Sequence, residues 1–210
     1  MEPFKTLTAV AVPIDLPNVD TDRIIPARFL RRTRGPGFER LLFHDIRFRD
    51  DGTEREDFIL NQPAYRESRI LVAAENFACG SSREAAVWAL TAYGFRAFVA
   101  PSFGDIFAQN CGKNGALAVR LPVETVAGLR RALHERPGAR MTVDLDAQAV
   151  TGPDETRHHF DVDPFLKECL VRGQDEIALT LTYDAAIAAF EERRRHEMPW
   201  LEEETRTTPA

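Results

Sequence analysis

Cysteine is scarce in this chain of 210 residues, and the three that occur, Cys79, Cys111 and Cys169, lie far apart with no C-x-x-C among them. That number and spacing exclude a disulfide framework and the usual paired-thiolate zinc sites. They also fall short of a resident iron–sulfur cluster, which draws several thiolates together. Each cysteine reads instead as a small buried hydrophobe. Long apolar runs are missing too. None approaches the ~20 residues needed to cross a bilayer, and Met1–Leu7 lacks the basic start and apolar centre of a secretory signal. A cytoplasmic chain with no membrane partner is expected. A basic surplus is likewise absent: with 27 Lys and Arg against 33 Asp and Glu, the formal net charge is −6. No basic stripe runs through the sequence, which argues against a nucleic-acid partner. The adjacent His158 and His159 would fall on opposite faces of a strand and make a poor metal pair. No internal repeat is visible.

What is present is 44% hydrophobic residues, enough at this length to bury a substantial core without staples. Thr6–Ile14 is rich in β-forming residues and leads into Asp15-Leu16-Pro17-Asn18, a turn by its Pro and Asx residues. Thr21 and Asp22 read as caps of a short helix through Ala27–Arg31, with Pro26 near its first turn. Ile46–Arg49 and Phe58–Leu60 read as strands joined by a turn at Asp50–Thr53. Ile70–Ala74 and Phe95–Ala100 have the length and apolar content of buried strands, and the helical composition between them predicts a parallel pair with a crossover. A short helix over Phe103–Gln109 places Phe103, Ile106 and Phe107 on one face, and Ala116–Leu121 returns as a strand. Pro122–Glu135 spaces Val123, Val126, Leu129 and Leu133 as a packing helix. Met141–Leu145 is a strand with its partner near Arg157–Val162, and Pro164–Val171 is a helix ended by Gly173. Ile177–Leu181 reads as a strand and Tyr183–His196 as a closing helix. The expected organisation is one α/β domain over residues 1–190 and a charged, solvated tail over 191–210.

The chemistry concentrates in Asn76–Trp88, N-F-A-C-G-S-S-R-E-A-A-V-W, which follows the apolar run Ile70–Ala74. Composition turns helical from Arg83, so Cys79-Gly80-Ser81-Ser82 is a strand-to-helix turn. The first turn of such a helix carries unpaired N–H groups and the positive end of the macrodipole, a ready seat for a carboxylate or phosphate. Arg83 adds a planar fork suited to a carboxylate, with the Ser81 and Ser82 hydroxyls beside it. The same residues also spell a capping box, in which Ser81 caps and Glu84 reaches back. A second segment, Arg31, Arg32 and Arg34 beside Gly35-Pro36-Gly37, is either a solvated surface loop or a lid that closes over an anionic substrate.

The stretch N-F-x-C-G-S-S-R-E resembles the signature of the small subunits of 3-isopropylmalate dehydratase, a family related to the mobile C-terminal domain of aconitase. Asn18-Val19-Asp20-Thr21-Asp22-Arg23-Ile24-Ile25-Pro26 matches that family's N-V-D-T-D-x-I-I-P segment. The likeness continues through Leu42-Phe43-x-Asp45-x-Arg47-Phe48, Tyr93-Gly94-Phe95 and Ala100-Pro101-Ser102-Phe103-x-Asp105-Ile106-Phe107, and covers the chain from about Val10 to Phe190. It implies an α/β fold, a layered mixed-sheet swivelling domain (β/β/α). It also implies a hydro-lyase of leucine biosynthesis that interconverts 3-isopropylmalate and 2-isopropylmalate through 2-isopropylmaleate. Carried over residue by residue, Ser81 is the base, acting as an alkoxide, while Ser82 and Arg83 bind substrate. Asp22 and Thr21 orient these groups from behind. Arg34 lies in the loop region that selects the substrate side chain.

The chemistry requires a base, cationic clamps and a Lewis acid for the departing hydroxide. The resemblance puts the Lewis acid in an iron–sulfur cluster on a separate large subunit, with no cofactor in this chain and the active site at the interface. The chain departs from the family pattern where Ala85 replaces a histidine, Ala78 a common glycine and Val87 a common proline, and where Gly35-Pro36-Gly37-Phe38 stands for R-T-G-F. Those departures leave two alternatives: a subunit of another aconitase-like hydratase acting on a related hydroxy-dicarboxylate, or a non-catalytic anion-binding paralogue.

Overall fold

The computed structural model describes residues 1–80 and 82–203. Its strands are β1 (Thr6–Ile14), β2 (Ile70–Ala73), β3 (Ala97–Ala100), β4 (Leu117–Arg120), β5 (Arg140–Asp144), β6 (Ala149–Thr151) and β7 (Arg157–His159). They form one seven-stranded sheet in the order β4-β3-β2-β1-β5-β6-β7. Long β1 is its seam. Ala11–Ile14 pair in parallel with β2, whereas Thr6–Val10 pair antiparallel with β5. The β4-β3-β2-β1 half is therefore parallel and the β5-β6-β7 half antiparallel, the mixed α/β sheet that the sequence implies.

The helices are α1 (Thr21–Ile24), α2 (His44–Arg47), α3 (Glu84–Tyr93), α4 (Asp105–Lys113), α5 (Val123–Glu135), α6 (Pro164–Arg172), α7 (Glu176–Leu181), α8 (Asp184–Glu197) and α9 (Trp200–Glu203). In the parallel half, alternate side chains feed two cores, as the period of two requires. Val12, Leu71 and Phe98 join Phe77, Leu90 and Phe107 on the face carrying α3 and α4. Ala11, Ile70, Val72, Ala97 and Val99 join Val126, Leu129 and Leu133 of α5 on the other.

The chain divides into two compact units, Met1–Gly173 and Gln174–Ala210. Within the first, several expectations are corrected. The helix expected through Ala27–Arg31 is a 3-10 turn at Ala27–Phe29, and α1 precedes it, capped by Asp20, whose carboxylate accepts from Arg23 N at 2.7 Å. Ile46 and Arg47 lie in α2, and Phe58–Leu60 leads into a 3-10 turn rather than a strand. Only the Asp50–Thr53 turn and a single Phe48–Glu54 bridge remain of that hairpin, because Arg47 is buried. Its Nε donates to Asn61 Oδ1 at 3.0 Å and its Nη1 to the Glu39 carbonyl at 3.1 Å. Ile106 and Val123 face outward, unlike their helix neighbours Phe107 and Val126.

The second unit is helical where composition predicts a strand. Asp175 caps α7 by accepting from Ala178 N at 2.7 Å, and the Thr180 and Thr182 hydroxyls donate back to the carbonyls of Glu176 and Leu179. A local cap thus overrides the β-forming composition of Ile177–Leu181. Helix α8 runs Asp184–Glu197, close to the closing helix expected over Tyr183–His196, with no buried residue, and α9 follows it.

Candidate functional site

Strands β1, β2 and β3 run in parallel, so the loops that follow them leave from one edge of the sheet, the edge where open α/β sheets bind ligands. Those three loops are stitched together. Asn18 N donates to Glu75 O at 3.0 Å, and Asn76 Nδ2 donates to Asn18 Oδ1 at 2.7 Å. Thr21 N donates to Cys79 O at 3.0 Å, part of a parallel bridge between Asp20 and Cys79. From the β3 side, Ser102 accepts from Asn76 N through its hydroxyl and from Phe77 N through its carbonyl, at 2.8 and 3.1 Å. Gly104 N then donates to Phe77 O at 3.0 Å. The approach is so close that a Cβ on Gly104 would lie 2.4 Å from the Ala78 carbonyl oxygen.

The loop carrying the signature is wound through left-handed backbone at Asn76 (φ +57°), Ala78 (φ +57°) and Gly80 (φ +87°). Asn and Gly tolerate that region, whereas an alanine is strained there. This gives a physical reason for the glycine that the resemblance implies at the position Ala78 fills.

Two of the expected site residues meet directly. Arg83 is the N-cap of α3, and its Nη1 donates to Asp22 Oδ1 in the first turn of α1. The Arg83 side chain is 18% exposed and that of Asp22 53%, so the carboxylate holds the guanidinium from the solvent side. Among the described residues the remaining donors of the fork have no partner. Thr21 is buried at the start of α1, against the Cys79 carbonyl. Ser82 is exposed immediately before Arg83. Ser81 lies outside the described residues. Arg34 is engaged elsewhere than in the Arg83–Asp22 pair: its Cζ stands 5.0 Å from the centre of the Trp88 ring, one turn along α3 from Glu84. The loop bearing it is anchored by buried Phe38.

The capping-box reading falls on Ser81 and so lies outside the described residues; among those described, Arg83 is the N-cap of α3, no side chain caps the helix, and Glu84 Oε1 accepts from Asn114 Nδ2 at 2.9 Å. Among the described residues no side chain takes up the first N–H groups of α3 beside Arg83, a combination that suits a carboxylate. Three contributors escape a reading of the sequence: the Asp20 cap, the Asn18–Asn76 bond and the Ser102 clamp. Asn18 and Asn76 carry a faint signal, being the residue type that most readily takes left-handed backbone.

No group of three or more His, Cys, Asp or Glu side chains among the described residues is arranged to hold a metal ion. Cys111 and Cys169 are buried, and burial pushes the Cys111 thiol well above its ordinary range, against thiolate ligation. Only Cys79 of the three is partly exposed.

The mixed sheet and the loops stitched at its edge define a class, the aconitase C-terminal domain, and the family model of that description matches residues 1–124. Further models match beyond it: LeuD_N over residues 127–164, and the C-terminal domain of the 3-isopropylmalate dehydratase small subunit over 176–204. The chain belongs to the family of 3-isopropylmalate dehydratase small subunits. It is 51% identical over 201 residues to the one from Paramagnetospirillum magneticum, covering 96% of this chain and all of the relative. It is 50% identical to the one from Leptospira interrogans, covering 96% and 98%. A crystal structure of 3-isopropylmalate dehydratase from Methanocaldococcus jannaschii shares the fold, with a TM-score of 0.62 and 24% identity over 89% of this chain and 99% of that one.

Proposed function

We propose that this chain is the small subunit of a cytoplasmic 3-isopropylmalate dehydratase, which grips the dicarboxylate and supplies the base for its dehydration. The observation that carries the reading is the pairing of two sequence-distant segments, Asp20–Asp22 and Cys79–Arg83, around one arginine at the N-terminus of α3. An arginine fork beside free helix donors binds a carboxylate through several charge-assisted bonds at once. With that carboxylate held, the substrate C–H next to it is brought to a base. Ser81 fills that role as an alkoxide, its negative charge favoured by the positive end of α3 and by Arg83. Ser82 donates to a substrate oxygen. Asp22 fixes the plane of the Arg83 fork, and Thr21 holds α1 against the signature loop. Arg34, mounted on Trp88, meets the substrate side chain as the loop closes.

An iron–sulfur cluster carried by the large subunit would supply Lewis acidity for the departing hydroxide. In this reading the chain's own part is to bind the dicarboxylate and hold the base, and no group of three or more His, Cys, Asp or Glu among its described residues is arranged to hold a metal. The test is reconstitution. This chain, produced with a cluster-bearing large subunit, should interconvert 3-isopropylmalate and 2-isopropylmalate and release 2-isopropylmaleate, and neither chain should do so separately. Turnover by this chain alone would overturn the reading. So would a reconstituted complex that turns over other hydroxy-dicarboxylates but not these.

A further inference from the structure

Helix α8 is fourteen residues long and none of them is buried. Isolated helices of that length are marginal in water, and in proteins they owe their stability to packing of an apolar face. The face exists: Tyr183, Ile187 and Phe190 follow one another at helical spacing from the start of α8, and Arg193 stacks over Phe190. Elsewhere in the second unit Ile177, Leu181 and Trp200 are 73%, 65% and 61% exposed. Eight of the fourteen large apolar side chains exposed among the described residues fall between Ile177 and Leu201, while Leu179 is the one core residue buried there.

We infer that the α7–α9 unit is the docking element for the large subunit, a segment distinct in sequence from the substrate-binding loops. This rests on the two-subunit reading above. Two observations choose the occupant. Beyond the aconitase C-terminal model over residues 1–124, small-subunit models cover 127–164 and 176–204, and of these two it is the second that holds exposed large apolar side chains. A domain at the C-terminal end of a longer chain is held near its neighbour by a covalent tether, which raises its effective concentration. A separate subunit needs an affinity of its own, and the added segment is where this chain exposes its apolar side chains. The second observation is size: eight side chains at these exposures present roughly 800–1,000 Å² of accessible surface, close to the ~800 Å² that each partner of a standard interface buries.

The test uses the full chain with Ile187→Glu and Phe190→Glu together, two exposed positions where glutamate keeps helix propensity. Binding to the cluster-bearing large subunit is measured by titration calorimetry, with turnover followed as that subunit is raised to saturation. The expected result is a Kd raised at least 30-fold, with kcat at saturation and the melting temperature of the isolated variant unchanged. A Kd within threefold of the parent overturns the inference and leaves the two-subunit reading standing. A lowered melting temperature of the isolated variant overturns it by making the patch part of the chain's own core. A parent chain that sediments alone as a dimer, split by the substitutions, overturns it in favour of a second copy. No binding by the parent chain overturns both readings.

Discussion

Arg83 and Asp22 stand sixty-one residues apart in sequence and share one ion pair, so each is tested through the other. Arg83→Lys keeps the charge and loses the fork. The substrate KM should rise roughly 10- to 100-fold, the worth of one charge-assisted bond of about 1.5–3 kcal/mol, with a smaller fall in kcat. Asp22→Asn should move KM in the same direction by less, because the fork remains and only its orientation loosens. Steady-state kinetics on the reconstituted enzyme separates the two, and equal KM values for both variants and the parent would remove Arg83 from substrate binding. Ala78 offers a stability test at the same loop. Its left-handed backbone costs an L-residue about 1–2 kcal/mol, and glycine gives back about 0.5–1 kcal/mol through its freer unfolded chain. Ala78→Gly should therefore stabilise the chain by about 0.5–1 kcal/mol, seen as a higher urea midpoint with an unchanged slope. A lower midpoint would mean that the loop is not strained at this residue.

Among the elements, the loop before Phe38 carries Gly35-Pro36-Gly37-Phe38 where the resemblance leads one to expect R-T-G-F. A Cβ on Gly35 would meet nothing within 4 Å, whereas Gly37 has φ +87° and must stay a glycine. An arginine at Gly35 would therefore leave the backbone without a clash at its Cβ. Exchanging Gly35-Pro36 for Arg-Thr should leave the melting temperature within a degree or so while shifting kcat/KM between dicarboxylates that differ in side chain. Identical ratios for every substrate would make the loop a surface connection, anchored through Phe38 and the Arg34–Trp88 stack and nothing more. The elements also show where sequence is legible. The β2–α3–β3 unit can be read because each part is specified locally, by a short apolar run, a helical stretch and the Gly94 stop. Strand β6, three residues long between two antiparallel neighbours, has no such local mark and escapes the reading. Helix α2 reads as strand because its burial depends on Arg47 finding Asn61, a tertiary event. At the site, the candidate residues are legible through two motifs, but their meeting is not. The Asp20 cap, the Asn18–Asn76 bond and the Ser102 clamp hold the loops in place, and the last two join segments that sequence cannot bring side by side.

For the whole molecule, half of the sheet is parallel and carries the stitched loops at one edge, and the other half is antiparallel and extends it through β5, β6 and β7. In the proposed reading, the turn before α3 supplies the base and a second chain takes up the leaving group. The central claim is that Ser81, next to the Arg83 clamp, removes the substrate proton. The most direct measurement is exchange of the substrate C–H with solvent deuterium, followed by NMR on the reconstituted enzyme with parent chain and with Ser81→Ala. The account predicts exchange slowed roughly 10²–10⁴-fold, the usual worth of a positioned base, while 3-isopropylmalate binds the variant complex as tightly as the parent. Near-parental exchange by the Ser81→Ala complex would contradict the assignment of Ser81 as the base.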